Sequence, residues 1–181
     1  MFSSEQKKTL LSLARQAINA HFEQMKVAIP ADPDFEVKRG LFVSLHIGEE
    51  LRGCIGYIKG YKTLSSSIIE MANAAAFRDP RFAPLSKPEL DRIRIEISVL
   101  SELIPMLKEE EPVIGRDGLF IEHPYGSGLL LPQVAVEWNW NPQTFLKEVC
   151  RKAGLNSSAY LDEKSRLYRF TAEVFSERDT F

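Results

Sequence analysis

The sequence is poor in the residues that build metal sites and disulfides. Among 181 residues it contains two cysteines, Cys54 and Cys150, and three histidines, His21, His46 and His123. No CxxC spacing occurs and the histidines lie far apart, so we expect no metal site and no bound cofactor. A reducing compartment disfavours a disulfide between the two cysteines.

Long apolar runs and an excess of one charge are also absent. Nowhere do about 18 uncharged apolar residues follow one another, and no long apolar run follows the charges of the N-terminus. The 23 basic and 25 acidic residues give a net charge of -2, which lacks the electrostatic footprint of a dedicated nucleic-acid binder. We therefore predict a soluble, cytoplasmic protein without a membrane span.

Apolar spacing in the first hundred residues predicts helices interspersed with strands. Helices carry apolar residues at steps of three and four, whereas half-buried strands alternate with a period of two. In chain order these patterns predict an N-terminal helix capped by Ser3 and Gln6, and strands over 41–47 and 51–58 joined as a hairpin. They then predict a helix over 64–77 capped by Thr63, a capping box of Ser86 and Glu89, and a strand over 93–99.

The pattern changes near Pro105. Beyond it, short apolar runs separated by glycine-rich turns predict a small hairpin sheet, followed by a helix capped by Asn141. The alternating segment from Tyr168 to Phe175 suits the large sheet by its length. We predict an α+β fold, in which an antiparallel sheet is flanked by helices and a smaller α+β lobe is inserted before the last strand. Residues 1–110 and 163–181 would form the large subdomain and 111–162 the small one.

The segment LRGCIG at positions 51–56 lies in a predicted strand but contains two glycines. Glycine inside a strand forfeits packing and backbone entropy, so Gly53 and Gly56 predict a bulge or a close approach by another backbone or a ligand. Cys54 lies between them. This position makes Cys54 the first candidate for function, although a buried structural cysteine fits the same pattern.

The register of the predicted hairpin decides which face carries Cys54. If Glu49 and Glu50 form the loop, Cys54 lies opposite Leu45 on the apolar face. A shift of one residue moves it to the face that carries Ser44 and His46. The sequence allows both registers.

Several charged residues are candidates for a site near Cys54. Arg52 lies two residues away, so in a regular strand it points to the same side and would lower the thiol pKa or hold an anionic substrate. A crevice between the two lobes is the expected place for a ligand. The candidate catalytic residues are Cys54 and Arg52, and the candidate substrate-binding residues are Arg78, Asp79, Arg81, Glu96 and Gln133.

Several motifs together resemble the AMMECR-one domain family, whose bacterial and archaeal members are also called AmmeMemoRadiSam system protein A. The matching blocks are LRGCIG at 51–56, FRDPRF at 77–82, EISVL at 96–100, Gly115 with Gly118-Leu119, GLLLPQVA at 128–135 with Trp138, CRKAGL at 150–155 and FTAEVF at 170–175. The resemblance implies an α+β fold of two subdomains, with LRGCIG as the suspected functional site. It implies a Memo-type protein and a radical SAM protein as partners, and it supplies no reaction.

Two functional hypotheses follow. In the first, the protein is an enzyme or an enzyme's partner that acts with Memo-type and radical SAM proteins through an inter-lobe cleft at Arg52 and Cys54. In the second, it is a binding or scaffold module in which Arg78, Arg81 and Arg94 engage nucleic acid or an anionic protein partner. Phe77 and Phe82 are then available for stacking.

Overall fold

The computed structural model describes residues 1–23 and 25–179, and within them the chain forms two compact units. The first unit comprises Met1–Val99 together with the residues from Glu173 onward, and the second comprises Leu100–Ala172. Each unit contains its own four-stranded antiparallel sheet with helices, so the predicted α+β fold is confirmed.

The first unit is built on a sheet with strand order β2-β1-β3-β8. Its strands are β1 (Leu41–Ile47), β2 (Glu50–Tyr57), β3 (Ile93–Leu100) and β8 (Ala172–Ser176), and its helices are α1 (Ser4–Glu23) and α2 (Leu64–Phe77). Capping side chains fix where the helices begin. Ser3 and Gln6 exchange hydrogen bonds in a capping box before α1, and the Thr63 hydroxyl accepts the Ser66 N–H at the start of α2.

The core of the first unit lies between the two helices and one face of the sheet. Alternate residues of β1 and β3 are fully or almost fully buried against both helices, as the period-two pattern predicts. The main contributors are Leu10, Leu13, Ile18, Leu41, Val43, Leu45, Ile68, Ala72, Ala75, Ile95 and Ile97. The opposite face of the sheet is therefore left to the polar residues that alternate with them.

The second unit has a sheet with strand order β4-β7-β5-β6. Its strands are β4 (Ile104–Met106), β5 (Gly118–His123), β6 (Gly126–Leu130) and β7 (Arg166–Phe170), and its helices are α3 (Pro132–Glu137) and α4 (Pro142–Lys152). The Asn141 side chain caps α4 by accepting the Thr144 N–H. Cys150 on α4 is fully buried in this second core.

The last predicted strand is two strands. We expected Tyr168–Phe175 to form one strand of the large sheet, but β7 ends at Phe170 and pairs with β4 and β5, whereas β8 begins at Ala172 and joins the first sheet. The pairing of β4 with β7 also places residues 100–110 and 163–172 in the second unit. The alternation continues across the break, so the pattern contains no sign of it.

Short elements complete the two units. Single 3-10 turns occur at Pro33–Phe35, Lys87–Glu89 and Ala159–Leu161. In the part of the chain that the structure describes, no helix is both long enough and apolar enough to cross a membrane.

Candidate functional site

The hairpin of β1 and β2 carries a bulge that decides where Cys54 lies. Ile47 pairs with Glu50, but the register shifts between Leu45 and His46, so that Cys54 pairs with Ser44 and Gly53 pairs with Leu45. Cys54 therefore lies on the polar face of the sheet, the second of the two registers that the sequence allowed. The Ser44 hydroxyl donates a hydrogen bond to the thiol sulfur at 3.2 Å.

The close approach predicted from the glycines is made by the protein's own backbone. A Cβ atom added at Gly53 would lie 2.1 Å from the carbonyl oxygen of Ala75 on α2, and one at Gly56 would lie 2.3 Å from the carbonyl oxygen of Leu41. These distances are far below any real Cβ contact. The glycines thus let α2 and β1 pack tightly against β2.

Asp79 and Arg81 close the free edge of β2. β2 is the outer strand of its sheet, and the backbone groups of Cys54 face outward. The Asp79 carboxylate accepts the Cys54 N–H at 2.9 Å, and the Arg81 guanidinium donates to the Cys54 carbonyl at 3.1 Å. The two side chains therefore occupy the positions that a neighbouring strand would take.

A buried carboxylate holds this closure together. Asp79 is 4% exposed and accepts hydrogen bonds from the Arg81 backbone N–H and from its guanidinium, with the shortest at 2.7 Å. These bonds from Arg81, together with the Cys54 N–H, hold the pKa of Asp79 far below its ordinary value. The loop after α2 is thereby fixed, while about half of the Arg81 side chain stays exposed.

The Arg52 guanidinium is paired with Glu89. Arg52 is the unpaired residue of the bulge, so strict alternation no longer relates it to Cys54. Its guanidinium donates to both carboxylate oxygens of Glu89, at 2.8 and 3.2 Å. These bonds, together with those from the N–H and hydroxyl of Ser86, hold the pKa of Glu89 at about 2. The guanidinium carbons of Arg52 and Arg81 lie 6.0 and 5.5 Å from the ring centre of Phe82, within cation–π range.

The thiol itself is poorly suited to nucleophilic chemistry in this geometry. Burial raises the pKa of Cys54, and the lowering by the Ser44 hydrogen bond and the Arg81 charge does not offset it. A nucleophilic cysteine needs a lowered pKa or an adjacent base. The partner of the sulfur is a hydroxyl donor, which makes Cys54 a hydrogen-bond acceptor on the polar face.

His46, Arg94 and Glu96 extend the polar face. His46 pairs with Arg94 and Ser44 with Glu96 across β1 and β3. Burial, reinforced by the Arg94 charge, lowers the pKa of His46. Both ring nitrogens of His46 and Nε of Arg94 are buried without a protein hydrogen-bond partner, which leaves donors and an acceptor available to water or to a small ligand.

The predicted site residues do not all meet. The structure joins Cys54, Asp79 and Arg81 directly and places Glu96 beside Ser44 on the same face. Arg78 caps the C-terminus of α2 and is exposed. Gln133 belongs to the second unit, as the second residue of α3. Among the described residues, no group of three His, Cys, Asp or Glu side chains is arranged to hold a metal ion.

Sequence reasoning did not assign two residues of this region, Ser44 and Glu89, to the candidate site. Ser44 becomes the partner of the thiol only because of the bulge, which the alternation of β1 does not reveal. Glu89 had a visible signal, since the Ser86–Glu89 capping box is present as predicted. The same carboxylate also accepts a hydrogen bond from Arg52. Because one carboxylate can accept several donors, the capping-box pattern does not reveal this additional partner.

Comparison with known proteins agrees with this architecture. Residues 11–175 match the AMMECR1 family model. A protein of Methanothermobacter thermautotrophicus is 44% identical over 185 residues, which cover 97% of this chain and 96% of that protein. Protein PYRAB00100 of Pyrococcus abyssi is 44% identical over 181 residues, which cover 93% of this chain and 88% of its own.

A solved structure shows the same fold. The chain is similar to the crystal structure of the uncharacterised protein PH0010 from Pyrococcus horikoshii, with a TM-score of 0.88 and 38% sequence identity, over 98% of this chain and 94% of that one. The motifs, the architecture and the family match agree, and the chain belongs to the AMMECR1 family.

Proposed function

We propose that the protein is a binding module that docks on an acidic surface of a second protein through a basic loop, residues 78–87. The observation that carries this proposal is the closure of the β2 edge, in which buried Asp79 fixes the loop and leaves its cations outward. Arg78, Arg81 and Lys87 are exposed, whereas the carboxylate of Asp79 is buried and that of Glu89 is paired with Arg52. The loop therefore presents positive charge.

Rigidity adds to the case for docking. Asp79 anchors the loop at one end, Leu85 donates its N–H to the Ala76 carbonyl at 2.8 Å, and Pro80 and Pro84 restrict the backbone between them. A preformed surface loses little conformational entropy on binding, so more of the interaction energy appears as affinity. Phe82, held beside two guanidinium groups, supplies a partly buried aromatic anchor.

The resemblance suggests the partners. A Memo-type protein and a radical SAM protein are the candidates, and the near-neutral net charge of -2 favours a protein surface over nucleic acid. In this proposal the protein assists an enzyme, and Cys54 keeps the strand edge in place by its backbone while its thiol accepts the Ser44 hydrogen bond.

Binding measurements with charge-reversed variants test the proposal. We expect calorimetry to show binding to the purified Memo-type or radical SAM protein, and the variant Arg78→Glu with Lys87→Glu to weaken it at least tenfold, because neither residue belongs to the edge closure. The control is Arg151→Glu with Lys152→Glu on α4, which makes the same change in net charge. Equal losses in both variants, or tight binding to RNA in place of either protein, would overturn the proposal.

The thiol supplies a second test. We expect iodoacetamide to alkylate Cys54 in the folded protein more slowly than a free cysteine at pH 7.5, because its raised pKa leaves little thiolate. Cys54→Ser should leave partner binding within twofold of wild type. Alkylation faster than that of a free cysteine would instead support the enzyme hypothesis.

A further inference from the structure

The second unit contains a cavity that has no part in the proposed docking. It has a volume of about 460 Å³ and lies where β4 ends, bounded by β4, β7 and the turn at Ala159–Leu161. Pockets for small molecules typically span about 300 to 1,000 Å³. The volume therefore suits a small organic ligand better than a few water molecules.

The topology of the sheet explains why the cavity exists. β4 has only three residues and pairs with β7 through Pro105 opposite Tyr168 and Met106 opposite Leu167. After Met106 the chain leaves the sheet in a turn, in which Leu107 donates its N–H to the Glu110 carboxylate. The strand β7 continues beyond its partner toward Arg166, so no strand covers that end of its edge.

The walls are apolar and aromatic. Met106 and Leu167 are buried members of the second core, Tyr160 packs against the same core, and Tyr160 and Tyr168 also line the cavity. The Tyr168 ring stacks on Phe120, with ring centres 5.9 Å apart, on the face of the sheet opposite to Leu167. Tyr160 is thus the aromatic side chain on the core side of the cavity, and it favours a flat ligand, since aromatic rings prefer offset or edge contacts with other rings.

A lysine fixed at the wall gives the cavity a charge preference. The Lys108 ammonium donates one hydrogen bond to the carbonyl of Leu161 at 2.9 Å. An ammonium has three donors, so it can also bind a ligand oxygen. Lys108 and Arg166 outnumber Glu109 among the charged residues that line the cavity, which favours a negatively charged group.

We propose that this cavity binds a small aromatic anion, with its ring against Tyr160 and Met106 and its carboxylate or equivalent group on Lys108. The shape of the ligand decides whether it enters the cavity, and its charge adds to the affinity. An uncharged analogue of the same shape should therefore enter the cavity but bind more weakly. This inference concerns the second unit and does not depend on the basic loop of the first.

Two matched probes test the inference on the full chain. Indole-3-acetate carries a carboxylate, and indole-3-acetamide has the same shape without the charge. In ¹H–¹⁵N NMR titrations we expect both to shift the amide signals of residues 106–109 and 160–168, with the carboxylate binding at least fivefold more tightly.

Two variants separate charge from shape. Lys108→Met should bring the two probes to equal affinity, whereas Leu107→Ala should weaken both by a similar factor, because Leu107 lines the mouth of the cavity and is 68% exposed. Lys147→Met on the exposed side of α4 serves as the control and should change neither affinity. Shifts that map elsewhere, no binding by either probe, or a charge preference that survives Lys108→Met would each overturn the inference.

Discussion

The outer strands β2 and β4 expose their free edges in different ways. β2 is eight residues long, and a buried carboxylate and a guanidinium occupy the outward backbone groups at Cys54. β4 is three residues long and contains Pro105, which has no N–H to offer. A long edge needs its backbone groups paired, whereas a short one with proline is already a poor template for another strand.

The comparison indicates which strand edge contributes more to the stability of its unit and which edge lies beside a cavity. Closure of the β2 edge uses buried polar groups that are costly to leave unpaired. The short β4 uses none, and the cavity of the second unit lies beside it. Changes at β2 are therefore expected to cost far more than changes at β4, and the four predictions below test that order.

The largest effect is expected from Gly53→Ala. The new methyl group would lie 2.1 Å from the Ala75 carbonyl oxygen, so strand and helix must move apart, at a cost of about 3 kcal/mol in the free energy of unfolding. Urea denaturation measures it, with Cys54→Ala as a neighbouring control that removes atoms without a clash. A loss below about 1 kcal/mol would show that α2 and β2 are not rigidly packed.

A smaller loss is expected from Asp79→Ala. The variant leaves the Cys54 N–H without its acceptor and frees the Arg81 guanidinium, which should cost about 2 kcal/mol. Asp79→Asn keeps one acceptor and should lose less. Hydrogen exchange at the Cys54 amide, measured beside urea denaturation, should accelerate in the alanine variant. An unchanged exchange rate would contradict the closure of this edge.

The Arg52–Glu89 pair predicts a dependence on pH. Because the pKa of Glu89 is about 2 in the fold and 4.5 ordinarily, its contribution is present above pH 4.5 and is lost as the pH falls from 4.5 to 2. Glu89→Gln should lower stability by on the order of 1 kcal/mol at pH 7, allowing for solvent screening, and by almost nothing near the folded pKa. Arg52→Met should flatten the same part of the pH profile. If Glu89→Gln lowers stability as much near the folded pKa of Glu89 as it does at pH 7, this pH dependence does not arise from the Arg52–Glu89 pair.

The smallest effect is expected at β4. Pro105→Thr restores an N–H to the edge and relaxes the unfolded chain, which should cost about 0.5 kcal/mol. Analytical sedimentation measures whether the restored N–H promotes dimerisation through this edge. Because the strand is so short, we expect the same monomer-to-dimer ratio as in the wild-type protein. A loss of stability as large as that of Asp79→Ala would show that the two edges do not differ in their contribution to stability.

Local patterns predicted most of the secondary structure. The capping pairs at Ser3 and Ser86 and the caps at Thr63 and Asn141 are all present. Such signals lie within four residues of the groups they satisfy, so the sequence displays them directly. The glycines of the LRGCIG segment predicted a bulge or a close approach by another backbone or a ligand, and the structure has both a bulge and a close backbone approach.

Contacts between residues far apart in the chain could not be predicted from the sequence. The division of Tyr168–Phe175 between two sheets depends on which strands lie beside each half, and the alternation of apolar residues is the same in either case. Asp79 is a candidate substrate-binding residue, and the structure shows that its carboxylate accepts the Cys54 N–H. A contact between residues 25 positions apart in the chain leaves no local pattern.

The sequence by itself determined most of the elements, their caps and the family motifs, because each follows from neighbouring residues. Only the tertiary structure decided that Cys54 faces Ser44, that Arg52 is bound to Glu89 and that the RDPR segment closes a strand edge. The physical reason is that register, bulges and ion pairs are chosen by the total energy of packed elements. One extra residue in β2 places the Cys54 thiol on the polar face, where it accepts a hydrogen bond from Ser44.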